Sequence, residues 1–235
     1  MTTENSMRKL CLKLNKDIQI EKLALFTWGN ASIRTSKTNF LIKPSGVNFE
    51  KLQEDMLVEV NMYDGQYTSE LRPSVDTLFH AEIYKAFPDV GGVLHTHSTN
   101  ATAFAQAKIE IPLLGTTHAD YFPRSIPVAD QITINENEKM ETTLGVSIVE
   151  CVKSKYPDNV NVRAVLMPCH GVILLAKDPA LLIEYSIVLE EIAALAIKTQ
   201  LLNSAITITS QDQELFNFHY GRKHGGAQYY GQSLR

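Results

Sequence analysis

Residues 91–101 read GGVLHTHSTNA, which sets His95 and His97 two apart in an apolar run with the character of a strand. Side chains at i and i+2 on a strand leave the same face of a sheet. Two imidazoles are thus presented side by side, as a divalent transition ion requires of its nitrogen ligands. A second segment, PCHGVILL, brings His170 after another short apolar run and could complete a three-histidine set. Histidine pairs also serve as hydrogen-bonding core residues. The company here favours a metal site: Gly91 and Gly92 ahead, Ser98 and Thr99 behind, and a carboxylate-bearing segment at Asp76.

Other segments have the composition of an anion cradle. Thr27-Trp28-Gly29-Asn30 and Lys43-Pro44-Ser45-Gly46 each join glycine to short hydrogen-bonding side chains, and the second adds a cation. A phosphate needs convergent N–H and O–H donors with room for close backbone approach. Ordinary turns use the same residues. In RPSVD, Ser74 stands where a helix begins, a place that favours anions, and Asp76 reads equally as the helix N-cap. GTTHADYF places Asp120 either in a turn or beside a metal as a general acid/base, with His118 as a structural histidine. The C-terminal HYGRKHGGAQYYGQ concentrates His219, Arg222, His224, Tyr229 and Tyr230, unusual for an idle tail.

These residues need a scaffold. The patterning predicts helices at 7–25, 76–87, Thr99–Ala107, 179–202 and 211–224. It predicts strands at 26–34, Asn39–Ile42, 56–62, 91–97, 163–167 and 172–176, with His170 and Gly171 in the turn between the last two. Short strands interrupted by helices point to a mixed α/β fold with a largely antiparallel sheet covered by helices. No repeat or linker divides the 235 residues, so 1–235 reads as a single domain. A net charge of −4 without any Lys/Arg tract argues against nucleic acid as a partner. No apolar run approaches the ~20 residues of a membrane helix, and the N-terminus lacks a signal-peptide core. Cys11, Cys151 and Cys169 are scattered, which fits a reducing cytoplasm rather than a disulfide framework. Cys169 is expected to be a small buried residue lining a strand.

TWGNAS, IKPSGV, the Asp76 segment, HTHS, GTTHADYF, CHGV and RKHGGAQYYGQ occur in one order from about Trp28 to Gln232. In this the chain resembles the L-ribulose-5-phosphate 4-epimerases of the class II aldolase/adducin superfamily. The resemblance implies a class II aldolase-like fold in three layers, with the antiparallel sheet in the middle. It implies one Zn2+ per subunit, replaceable by Mn2+ or Co2+, on His95, His97 and His170, with Asp76 as a fourth, metal-associated carboxylate. Related aldolases carry a glutamate at that position. Gly29, Asn30, Ser45, Gly46 and Ser74 match phosphate-binding positions, with Lys43 nearby. Val75 stands where the family usually has a second serine, so a backbone N–H is kept and a hydroxyl lost. Asp120 and Tyr230 match an acid/base pair, His219 and Arg222 match tail residues near the same site, and Thr116 and Glu141 match a supporting shell.

The activity so implied is interconversion of L-ribulose 5-phosphate and D-xylulose 5-phosphate by opening and re-forming the C3–C4 bond. The assembly implied is a homotetramer of C4 symmetry in which the tail, about 211–235, reaches a neighbouring subunit's site. A class II sugar-phosphate aldolase of the fuculose-phosphate type would use the same metal and phosphate residues. A non-catalytic, adducin-like interaction module is the reading from a different class.

Overall fold

The computed structural model describes residues 3–133, 139–156 and 160–225. Its centre is a sheet of β1 (Asn30–Arg34), β2 (Asn39–Ile42), β3 (Val58–Asn61), β4 (Gly92–Thr96), β5 (Val162–Met167) and β6 (Gly171–Ala176). The strand order is β3-β2-β1-β4-β6-β5, and every neighbouring pair is antiparallel. The helices are α1 (Thr3–Ile20), α2 (Thr77–Ala86), α3 (Thr99–Ala107), α4 (Thr116–Ala119), α5 (Met140–Lys155), α6 (Leu182–Leu202) and α7 (Ser210–His224).

Alternation along the strands divides the core in two. Leu94, Ala164 and Leu174 pack with Leu14, Phe104 and Leu189 from α1, α3 and α6. Val93, Val165 and Ile173 face the other way, onto Phe79 and Ile83 of α2 and Ile148 of α5. Both faces are covered, which is why GVILLA in β6 is apolar throughout rather than alternating. The expected three-layer, mixed α/β arrangement with an antiparallel sheet is what the chain adopts.

Several boundaries differ from the sequence reading. Residues 26–29 are loop, not strand: Phe26 and Gly29 take φ of 55° and 73°, and pairing begins only at Asn30. The first helix stops at Ile20, and Lys22 with φ 57° turns the chain out of it. The run to Met62 opens with a 3-10 turn at Glu54–Met56 before β3 begins. Helices α4 and α5 were not anticipated. In α5, Thr142, Thr143, Gly145 and Val146 are poor helix formers, and packing on α2 overrides them. A Cβ on Gly145 would lie 2.8 Å from the Glu82 Cβ and 2.9 Å from the Phe79 Cα, so this glycine sets how closely the two helices approach. Cys169 is exposed, not buried along a strand, and its φ of 59° forms the β5–β6 turn.

Candidate metal centre and anion pocket

Two backbone segments deliver three imidazoles to one place. His95 lies near the end of β4, His97 one residue past it, and His170 just ahead of β6. Ring centroids are 4.7 Å apart for His95–His97, 4.8 Å for His95–His170 and 5.1 Å for His97–His170. One nitrogen from each ring lies within 4.8 Å of the others. This closeness depends on missing side chains. A Cβ on Gly171 would sit 2.6 Å from the Thr96 carbonyl oxygen and 3.2 Å from the His95 ring, and one on Gly29 would sit 2.6 Å from the His95 carbonyl oxygen.

The His95 Nδ1 lies 2.9 Å from the Val172 carbonyl oxygen. A carbonyl only accepts, so Nδ1 carries the proton and Nε2 keeps its lone pair. Burial, followed by the neighbouring imidazoles, pulls His95 down to about 3 and His97 down to about 4. Burial also lowers His170, while Asp76 raises it. Three neutral imidazoles with converging lone pairs are a donor set for a divalent transition ion. Imidazole ligands suit zinc and other late first-row divalent ions.

Asp76 occupies the N-cap position of α2 but makes no side-chain capping bond. Its Oδ2 instead accepts from Asn30 Nδ2 at 2.5 Å and from the Ser74 hydroxyl at 3.5 Å. Burial raises its pKa, while the Asn30 bond, His170 and His97 pull the other way. The carboxylate therefore stands beside the histidines. Among the described residues, however, the group of ligand atoms within 4.8 Å is His95, His97 and His170 alone.

The histidines open onto a cavity of about 340 Å³ whose walls include Gly29, Asn30, Lys43, Ser45, Gly46, Ser74, Val75 and Asp76. The two loops that supply these residues are stitched together, Ser45 N–H to Arg72 O at 2.9 Å and Ser74 N–H to Lys43 O at 3.0 Å. Lys43 is buried, with Nζ 5.0 Å from the Phe49 ring centre and donating to Thr27 O at 3.4 Å. Burial lowers it to about 8, and Asp76 partly restores it. Gly46, at φ 68°, has open space where a side chain would be. Val75 is 68% exposed at the rim. Among the described residues, the buried Asn30 Oδ1 has no hydrogen-bond partner. Thr27 and Trp28 also line the cavity. The indole of Trp28, 5.9 Å from the His97 ring, was given no role from sequence. Its place beside Gly29 was the available signal.

The acid/base candidates lie elsewhere in the chain. Asp120, just after α4, is not among the residues lining this cavity. Its Oδ1 is 3.0 Å from His219 Nδ1 and 3.9 Å from Arg222 Nη2, and His224 Nε2 donates to its backbone oxygen at 2.8 Å. Helix α7 is thus fastened to α4, helped by Phe216 against Leu113 and Ala119. Thr116 opens α4, its carbonyl accepting from the Asp120 N–H at 2.8 Å, and Glu141 stands in the first turn of α5. Neither lines the cavity. His118 is buried with Nε2 2.9 Å from the Arg124 carbonyl, a structural role. Tyr230 lies outside the described residues.

Known proteins place this architecture. The family described as Class II Aldolase and Adducin N-terminal domain matches residues 9–197. An L-fuculose 1-phosphate aldolase superimposes with a TM-score of 0.74 at 23% identity, over 94% of this chain and 97% of that one. The L-fuculose-1-phosphate aldolase of Thermus thermophilus gives 0.68 at 24% identity, over 86% and 98%. That of Glaciozyma antarctica gives 0.71 at 18%, over 96% and 87%. At these identities the likeness is one of fold.

Proposed function

The chain belongs to the Class II Aldolase and Adducin N-terminal domain family, and on that footing we propose that it is a metal-dependent sugar-phosphate enzyme, an L-ribulose-5-phosphate 4-epimerase. The observation that carries the reading is the convergence of His95, His97 and His170 at the wall of a cavity that also holds Lys43, Ser45 and Ser74. A Zn2+ held by the three imidazoles, with Asp76 alongside, would supply Lewis acidity to the oxygens of a bound ketose. Lys43, Ser45, Gly46 and Ser74, with Gly29 and Asn30, would hold the phosphate.

The hydrogen on C4 of a ketopentose is not next to the C2 carbonyl, so inversion there cannot proceed by simple deprotonation. Opening the C3–C4 bond and resealing it on the other face of the aldehyde does the work. The phosphate grip keeps the two-carbon fragment in place while it turns. Two groups must move protons on opposite sides, and Asp120 and Tyr230 are the assigned pair. Because Asp120 does not line its own chain's cavity, the assignment goes with a homotetramer of four-fold symmetry in which the tail, about 211–235, meets a neighbour's site. Cytoplasmic location goes with the same reading.

The structural likeness to fuculose-phosphate aldolases favours a second reading, an aldolase that releases the aldehyde. Incubation with L-ribulose 5-phosphate separates them. Formation of D-xylulose 5-phosphate supports the epimerase, and accumulation of free glycolaldehyde phosphate and dihydroxyacetone supports the aldolase. A preparation that binds no metal and turns over no sugar phosphate would leave an adducin-like interaction module.

A further inference from the structure

Strand β1 sets Asn30, Ser32 and Arg34 on one face, two apart. Helix α2 and its cap set Asp76, His80 and Tyr84 against them, four apart. The rungs are polar. Asn30 Nδ2 donates to Asp76 Oδ2, the Ser32 hydroxyl lies 2.7 Å from His80 Nδ1 and 2.8 Å from the Tyr84 phenol, and Arg34 Nη2 donates to Tyr84 O at 2.7 Å. This seam starts at the histidine cavity and ends at a second cavity of about 420 Å³, lined by Arg34, Ser36, Lys37, Tyr63, Tyr84 and Lys85.

The second cavity is cationic, and among the described residues no carboxylate lines it. Arg34 is held by neutral acceptors: Nε by Val90 O at 2.8 Å, and Nη2 by Tyr84 O and by Phe87 O at 3.0 Å. Among the described residues, its Nη1 meets the Met62 thioether at 3.9 Å, a weak acceptor. Of the nearby carboxylates, Glu82 pairs with the cavity's own Lys85 at 2.8 Å, and Asp89 pairs with Arg163 and Lys177 at 3.3 and 3.4 Å. A half-buried guanidinium fixed by carbonyls keeps its charge, and Lys37 at the same concave wall adds to the field, while Lys85 brings its ammonium together with the Glu82 carboxylate. The guanidinium fork, planar and always charged, favours oxyanions.

We propose that this cavity is a second anion site, one that takes a small phosphorylated or polycarboxylated metabolite. It does not depend on the catalytic reading, since none of its residues belongs to the histidine cavity.

The test titrates inorganic phosphate, and separately malonate, into the metal-loaded full chain by calorimetry. Wild type is compared with Lys37→Glu/Lys85→Glu and with the neutral Lys37→Met/Lys85→Met. A Lys43→Gln background removes the contribution of the first cavity. In that background wild-type lysines should give one anion per chain, the neutral pair should weaken it about tenfold for each charge lost, and the reversed pair should abolish it. Turnover of sugar phosphate should be unchanged in both lysine pairs. Phosphate alone binding assigns phosphorylated ligands, and malonate alone assigns carboxylates. Equal binding in all three proteins, or no binding of either anion to wild type, overturns the proposal. Arg34→Lys, which keeps a charge but not the fork, should weaken binding if the cavity is the site and leave it intact otherwise.

Discussion

The Nδ1 of His95 stands 2.9 Å from the carbonyl oxygen of Val172, the residue before its register partner Ile173 on the adjoining strand β6. The sheet itself therefore selects the tautomer of the most buried of the three histidines. That carbonyl belongs to the main chain, so no side-chain substitution can remove it. Changing an imidazole directly should therefore cost more metal affinity than changing its surroundings. His170→Asn is expected to lower bound metal by more than the roughly 10–100-fold that outer-shell changes cost. Elemental analysis after dialysis checks this, and an undiminished metal content would refute it.

Retention of metal should be insensitive to mild acid. An ordinary histidine titrates near 6.5, whereas burial brings His97 to about 4 and His95 to about 3. Metal bound at pH 7.5 should still be bound at pH 5.5, and release centred near 6.5 would contradict the geometry. The metal-free protein should behave in the opposite way. Its unfolded chain takes up protons as pH falls through 6.5 while the folded imidazoles do not, so thermal stability should decline between about 6.5 and 4.

The phosphate grip should loosen in alkali. Lys43 loses its proton at about 8, well below the ordinary lysine value, because it is buried. KM for the phosphorylated sugar should rise above that pH as the cation is neutralised. Lys43→Gln should raise KM at neutral pH by about tenfold or more and should remove the alkaline limb. A limb that survives the substitution would point to another group.

Adding one methyl group at Gly171 should damage the centre without touching a ligand. The new Cβ would press on the Thr96 carbonyl at 2.6 Å and on the His95 ring at 3.2 Å. Gly171→Ala is expected to cost roughly 1–3 kcal/mol and to reduce metal content with it. Thermal unfolding with and without added zinc measures both effects.

Asp120→Asn and Tyr230→Phe should each depress turnover by about 10²- to 10⁴-fold while leaving metal content as it was. Wild-type turnover in both would remove them from the proton chemistry.

The metal half of the site was legible because a period of two on a strand is a local signal, and His95 and His97 obey it although β4 ends at Thr96. The anion half was legible only as loops rich in glycine and serine. What joins them is the pairing of Pro44 with Pro73 and the backbone bonds between Lys43, Ser45, Arg72 and Ser74, contacts between segments with no sequence periodicity. Asp76 illustrates the limit. Sequence placed it at a helix start, and only the register of β1 against α2 turns its carboxylate to Asn30 instead of to its own backbone. Helix α5 was hidden for a related reason: its glycine and β-branched residues suit a tight fit on α2 rather than an independent helix.

Helix α7 fully buries one side chain, Phe216, and is further held by polar contacts around Asp120 and by Lys223 Nζ over the Tyr121 ring. So light an attachment makes it a candidate for opening ahead of the rest of the fold. Heat, a protease or a truncating mutation could strip away the carboxylate's escorts and still spare the ion-holding end of β4 and β6. On the proposed assignment, damage of that kind would leave a protein that keeps its metal while losing turnover.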